Sequence, residues 1–264
     1  MHAFQYHRPS NLKDAVATGA KDEAKYLAGG QSLVQAMKLR LAAPGDLVDL
    51  NALADLKALK ADASGVTVGA MVRHAEVASS SSVQKVIPAL AALAGMIGDR
   101  QVRHMGTIGG SLANNDPAAD YPAAVLGLGA TITTNKRKIE ADKFFKGLYE
   151  TALEPGELIT SVSFPVPKRA AYMKFKNPAS RFAIVGVFVA DFGNAVRVGV
   201  TGAGPSAFRQ ADMEKALAAK FAPESVAGIK VKADGLNTDL HASAEYRAHL
   251  VTVMAKRAVE AALK

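Results

Sequence analysis

Two glycine-rich loops about 80 residues apart carry the residue types best suited to chemistry. One is Ala28-Gly29-Gly30-Gln31-Ser32-Leu33. The other is Thr107-Ile108-Gly109-Gly110-Ser111, followed by Asn114-Asn115-Asp116-Pro117. Glycine lets the backbone approach a ligand closely, and successive backbone N–H groups make a concave anion site. The hydroxyls of Ser32, Thr107 and Ser111 and the nearby asparagines add donors that a purely geometric turn does not need. Converging on one point, two such loops would hold a diphosphate, and so a dinucleotide cofactor. The Gly-x-Gly-x-x-Gly fingerprint and the Gly-x4-Gly-Lys-Ser/Thr phosphate loop do not occur. Gly202-Ala203-Gly204 ends a strand pattern, but no third glycine follows at the required spacing.

The elements around these loops predict three units. Residues 1–54 read as a small β-α-β unit. A strand over 25–28 enters the first loop, Ser32 caps a helix over 33–41, Pro44-Gly45 ends it, and a strand covers 47–50. Residues 55–166 form a larger unit. It has a strand at 66–70, a helix from Pro88 bearing Leu90, Leu93 and Ile97, and then the second loop. Asp116-Pro117 reads as a helix start, with Asp as cap and Pro at the first position. A hairpin around Asn135-Lys136 and a strand at 158–164 complete the unit. Pro165-Val166-Pro167 marks the boundary. Residues 168–264 then give three strands, 171–176, 183–192 and 195–201, the last two joined at Gly193-Asn194. Helices follow, the final one over 243–263 with Tyr246, Leu250, Met254 and Ala258 on one stripe. The fold class is α+β.

Composition narrows the chemistry. The chain has 264 residues, 49% of them hydrophobic, enough for a sizeable core. There is no cysteine. That excludes disulfides and the thiolate ligands that an iron–sulfur cluster normally requires, so redox chemistry would need an organic cofactor or partner chains. The six histidines show no metal spacing. The start of the chain has no basic region followed by an apolar stretch, and no apolar run approaches the ~20 residues of a membrane span. A cytoplasmic protein is expected. The net charge is +8, part of it in Asn135-Lys136-Arg137-Lys138. These residues are not interleaved with aromatics, which favours a solvated hairpin over a nucleic-acid surface.

Three segments together resemble the FAD-binding medium subunit of molybdenum hydroxylases, in particular the carbon monoxide dehydrogenase type. They are Ala28-Gly29-Gly30-Gln31-Ser32-Leu33, Arg103-x-x-Gly106-Thr107-Ile108-Gly109-Gly110-Ser111-Leu112-Ala113, and Asp116-Pro117-Ala118-Ala119-Asp120-x-Pro122. The flavin domain of xanthine dehydrogenase is a more distant relative. The resemblance covers nearly the whole chain. It implies two α/β subdomains clasping FAD (the fold shared with vanillyl-alcohol oxidase, or PCMH type) and a C-terminal domain of a three-stranded antiparallel sheet with helices. It also implies that residues 28–33 and 107–111 hold the diphosphate through backbone N–H groups. Asp120, placed about one turn into its helix, would accept a hydrogen bond from the FAD. Ile159 matches an apolar position near the cofactor. Lys174 matches a lysine that reaches the flavin, where a cation could stabilise negative charge on the reduced ring. Phe182 matches an aromatic position, commonly Tyr, that lies against the isoalloxazine. Arg181 stands before it where related chains often have Asp, and Phe lacks the tyrosine hydroxyl.

The function so implied is electron transfer, with no side chain of this chain acting as a catalytic acid or base. A large partner subunit would carry molybdopterin, and a small one [2Fe-2S] clusters that pass electrons to FAD here. The assembly would be a dimer of heterotrimers. Two readings compete. One is a stand-alone flavin-dependent reductase of the same flavin fold, which needs its own substrate domain with a catalytic acid; the region after Pro167 offers no counterpart. The other is a basic binding module without redox activity. Neither the substrate of the whole enzyme nor the final acceptor is legible in this chain.

Overall fold

The computed structural model describes all of residues 1–264. The N-terminal unit holds β1 (Gln5–His7), α1 (Leu12–Gly19), β2 (Lys25–Leu27), α2 (Leu33–Lys38) and β3 (Asp46–Asp49). Its strands form a parallel sheet in the order β1-β3-β2. The helix after the first loop is shorter than the 33–41 expected. Arg40 adopts a left-handed φ of 61°, which turns the chain before Pro44 is reached.

The middle unit begins with β4 (Leu59–Asp62) and β5 (Gly65–Gly69). Six helices follow: α3 (His74–Ser79), α4 (Ser81–Val86), α5 (Pro88–Met96), α6 (Arg100–Met105), α7 (Ile108–Asn114) and α8 (Tyr121–Leu128). After them come β6 (Thr131–Thr134), β7 (Lys138–Glu140), α9 (Ala141–Phe144), β8 (Phe145–Gly147), β9 (Glu150–Thr151) and β10 (Ile159–Phe164). Five strands make an antiparallel sheet, β4-β5-β10-β6-β7, while β8 and β9 form a separate hairpin.

The C-terminal unit contains β11 (Arg169–Lys176), β12 (Ala183–Asp191), β13 (Val196–Thr201), β14 (Phe208–Arg209), α10 (Ala211–Ala219), α11 (Pro223–Ala227) and α12 (Ala244–Ala262). Its antiparallel sheet runs β11-β12-β13-β14. The sheet thus has four strands where three were expected. The fourth is two residues long, too short to leave a period in the sequence, and it pairs Phe208 with Val200.

Burial explains the run of apolar residues in β12, every residue of which is buried. Side chains alternate across a strand. Val185, Val187 and Val189 meet Leu250, Val251, Met254 and Ala258 of α12 in one core. Phe188 and Ala190 point the other way, into the core shared by α8 and the middle sheet. Helix α8 is therefore enclosed on all sides, and all eight of its residues are buried. Gly127 and Gly199 allow this approach: a Cβ on Gly127 would stand 3.1 Å from the Phe188 carbonyl oxygen, and one on Gly199 would press on the Ala123 carbonyl. No helix is long and apolar enough to cross a membrane.

Candidate cofactor site

The first loop is the turn from β2 into α2. Asn51 anchors its start, donating from Nδ2 to the Ala28 carbonyl at 3.3 Å and to Asp49 Oδ1 at 2.7 Å. Gly30 has φ +70°, a conformation that side chains with a Cβ rarely adopt. The backbone N–H groups of Gly29, Gly30, Gln31 and Ser32 donate to no acceptor within the protein. Four consecutive open donors on a glycine turn make a ready-made anion cradle. Gln31 and Ser32 are exposed, and Leu33 is half-buried. Ser32 does not cap α2, contrary to expectation. Its own φ and ψ are already near helical (−113°, −56°), whereas a capping residue is normally extended.

The second loop is built differently. Thr107 forms a bridge with Arg73, and around it His74 N–H donates to the Gly106 carbonyl at 3.0 Å. Ile108 N–H donates to Val72 O at 3.2 Å and Gly109 N–H to Ala70 O at 2.9 Å. Gly110 N–H is capped by Thr107 Oγ1 at 3.2 Å, and Ser111 N–H donates to Thr107 O. Of the expected donors, the Thr107 N–H alone lacks a protein partner. Gly109 serves packing: a Cβ there would lie 2.6 Å from the Ala70 Cβ. The symmetry expected of the two loops is thus absent. The first presents open N–H groups, and the second spends its own on seating α7.

The two loops touch. Gly29 lies on the Met105–Gly106 peptide, and a Cβ on Gly110 would stand 3.5 Å from the Ala28 Cβ. Beneath this junction His74 is buried, with its ring 5.3 Å from that of Tyr121. Burial, and secondarily the Arg103 charge, lower its pKa to about 4, so the imidazole is neutral.

Asp120 stands immediately before α8, not one turn into it. The expected helix start at Asp116-Pro117 is instead a turn, because Asp116 Oδ1 accepts from Ala118 N–H at 2.8 Å. The same residue types serve cap and turn alike. The end of β13 holds the segment that leads into α8. Gly202 N–H donates to Pro117 O at 2.8 Å, and Thr201 Oγ1 donates to Ala119 O at 2.6 Å. The Asp120 carboxylate is 3% exposed and the Lys174 side chain 2%. Lys174 Nζ reaches Asp120 Oδ1 at 2.9 Å and Oδ2 at 3.0 Å, and donates to Met96 O at 3.0 Å. Tyr172 completes the group, its hydroxyl donating to Asp120 Oδ1 at 2.6 Å. Burial pushes the Asp120 pKa up, with Lys174 and Tyr172 pulling against it.

Ile159 is buried in the middle core. It connects to the second loop through its neighbour, since Ala70 N–H donates to Thr160 O at 2.9 Å. Phe182 stands apart from these groups, 48% exposed at the end of the loop between β11 and β12. Asn177 shapes that loop: its Oδ1 accepts from Ala179 and Ser180 N–H at 2.9 and 3.1 Å. Arg181 has φ +63°, which turns the chain into Phe182.

Sequence reasoning missed Tyr172, and it read Asn115 as a ligand donor beside the second loop, where the structure gives it another task. Tyr172 lies 52 residues from its partner Asp120, and only the alternation of β11 hints that it shares a face with Lys174. Asn115 ends α7 in a left-handed conformation, φ 43°. Its Nδ2 donates to Gly147 O at 2.8 Å and Glu150 O at 2.7 Å, clamping the β8–β9 hairpin. Its place after a glycine-loop helix was the available signal, since Asn favours such C-terminal turns.

The family of the FAD-binding domain in molybdopterin dehydrogenases matches residues 2–167. The chain belongs to the FAD-binding medium subunits of the molybdenum hydroxylases. It is 35% identical to the carbon monoxide dehydrogenase medium chain of Afipia carboxidovorans, covering 98% of this chain and 96% of that one. It is also 35% identical to the nicotine 6-hydroxylase medium subunit of Paenarthrobacter nicotinovorans, over 97% and 96%. Among solved structures, reconstituted CO dehydrogenase from Oligotropha carboxidovorans superposes with a TM-score of 0.91 at 33% identity, covering 99% of this chain and 98% of that one. Quinoline 2-oxidoreductase from Pseudomonas putida 86 gives 0.90 at 29% identity, over 99% and 97%. Such medium subunits are oxidoreductase components that bind FAD, and the open cradle at 29–32 fits that cofactor's diphosphate.

Proposed function

We propose that this chain is the electron-transfer subunit of a three-subunit molybdenum hydroxylase. It receives electrons from [2Fe-2S] clusters of a small partner and delivers them to an external acceptor. FAD supplies the redox chemistry, taking electrons singly and releasing one or two. The observation that carries the reading is the row of four open N–H donors at residues 29–32, braced against the second loop.

The chain's own residues bind and tune. Residues 28–33 and the Thr107 N–H hold the diphosphate. The subdomains 1–54 and 55–166 clasp the cofactor, and 168–264 closes over it. Ile159 supplies an apolar wall behind the second loop. Lys174, paired with Asp120, sets the local charge, and Phe182 offers an aromatic face. No side chain acts as an acid or base. The chain has no cysteine, so clusters must reside on a partner. A large subunit carrying molybdopterin would oxidise the substrate, in a dimer of heterotrimers in the cytoplasm. The relatives act on substrates as unlike as carbon monoxide and nicotine, so substrate choice belongs to that large subunit.

The test is co-expression with candidate small and large subunits. Co-purification of a yellow three-chain complex, whose FAD is bleached by substrate, supports the reading. A lone chain that reduces its FAD with a nicotinamide donor would contradict it and restore the stand-alone reductase.

A further inference from the structure

We infer that Tyr172 is a positioning residue of the cofactor site: its hydroxyl fixes the Asp120 carboxylate and thereby sets the charge that the Asp120–Lys174 pair presents to the bound flavin. The inference rests on the proposal that this pair acts on the FAD.

Three observations single out Tyr172. First, Tyr172 and Lys174 lie two residues apart on β11 and converge on one carboxylate, the hydroxyl on Oδ1 and the ammonium on both oxygens. Secondly, Asp120 occupies the position before α8 where a carboxylate ordinarily caps the helix, yet makes no capping bond. Its oxygens are turned to Tyr172 and Lys174 instead. Thirdly, β12 makes room for the hydroxyl. Its single glycine, Gly186, sits opposite Lys174, and a Cβ there would overlap the Tyr172 hydroxyl and stand 2.9 Å from Cζ. Every other residue of β12 has a side chain, and all of them are buried.

A structural role alone would not call for this. Well-packed apolar side chains of similar volume usually replace a buried ion pair without loss of stability. Holding an ammonium and a carboxylate at 2–3% exposure makes sense where their charge balance matters to a neighbour. The tyrosine hydroxyl governs that balance. Donation to the ionised carboxylate favours the charged form. Without it, Asp120 takes up a proton more readily and leaves the Lys174 charge uncompensated. Positive charge beside a redox cofactor favours its reduced state. The groups facing Asp120 are Tyr172 and Lys174 from β11 and Tyr121 from α8, with the neutral His74 ring behind Tyr121, tilted 50° to it.

The experiment is a spectroelectrochemical titration of the full chain loaded with FAD. It compares the native chain with Tyr172→Phe, Asp120→Asn, the double variant and Lys174→Met. Tyr172→Phe is expected to raise the FAD midpoint potential while FAD stoichiometry is unchanged. In the Asp120→Asn background the same substitution should produce no further shift, because the hydroxyl acts through Asp120. Gly186→Ala, which displaces the hydroxyl without deleting it, should shift the potential in the same direction as Tyr172→Phe. An unchanged potential in Tyr172→Phe, or an equal shift with and without Asp120, overturns the inference. A potential unmoved by Lys174→Met overturns the underlying reading of the pair as well. A potential moved by Lys174→Met but not by Tyr172→Phe removes Tyr172 alone.

Discussion

Gly29 lies flat against Gly106: a methyl group on Gly29 would stand 2.7 Å from the Gly106 Cα and overlap the Met105 carbonyl. The two glycine loops are thereby locked into one unit, and the open donors of the first are held by the seating of the second. Gly29→Ala must separate them. We expect at least about tenfold weaker FAD binding, equivalent to ~1.4 kcal/mol, together with a lower melting temperature. Fluorescence titration with FAD reads the first and thermal unfolding the second.

Gly30→Val tests the cradle itself, and Gly110→Val the second loop that braces it. Gly30 has φ +70°, and its Cβ would also meet Val34 Cγ2 at 3.0 Å. A Cβ on Gly110 would crowd Thr107 Oγ1 at 3.1 Å and Ala28 at 3.5 Å. Both variants should purify without FAD and fail to take it up. Normal flavin occupancy in both, measured by absorbance, would remove residues 28–33 and the Thr107 N–H as the diphosphate site.

The Asp120–Lys174 pair links α8 to β11 across two units of the fold. Asp120→Ala leaves an ammonium buried without its carboxylate, which costs about 3–5 kcal/mol. Replacing both partners, Asp120→Leu with Lys174→Met, should recover much of that loss, as chemical denaturation would show. A double variant no more stable than Asp120→Ala would contradict the account of the pair.

His74 makes the loop junction sensitive to acid. Its folded-state pKa of about 4 lies below the usual value of 6.5, so the fold favours the neutral ring. The unfolded chain binds the proton first. The stability His74 contributes is therefore complete above pH 6.5 and is lost as pH falls towards about 4. Glu157 behaves similarly in a lower window. Burial opposes its charge, but Arg137, the Glu154 N–H and Thr134 hold its pKa near 2, so its contribution fades below pH 4.5. In His74→Phe, the slope of unfolding free energy against pH should flatten between 6.5 and 4. An unaltered slope would refute the assignment.

The sequence made most of the architecture legible where periodicity is local. Gly193-Asn194 marked the β12–β13 turn, and Leu250, Met254 and Ala258 marked the buried stripe of α12. The glycine loops were legible as a pair, and Asp120 and Lys174 as family positions. Long-range partnership was not. Nothing near Ile108 or Gly109 shows that their N–H groups belong to Val72 and Ala70. Helix α8 has no polar face to betray its period, since it is enclosed on both sides, and Asp116-Pro117 mimicked its start. Tyr172 read as an ordinary strand residue because its hydroxyl acts across 52 residues of chain.

The most direct test of the central claim is the visible absorption spectrum of the purified chain, taken before and after acid precipitation. The account predicts a flavin spectrum that passes wholly into the supernatant, as a cofactor held by backbone donors without a covalent bond would give. A colourless chain that takes up no added FAD would contradict it.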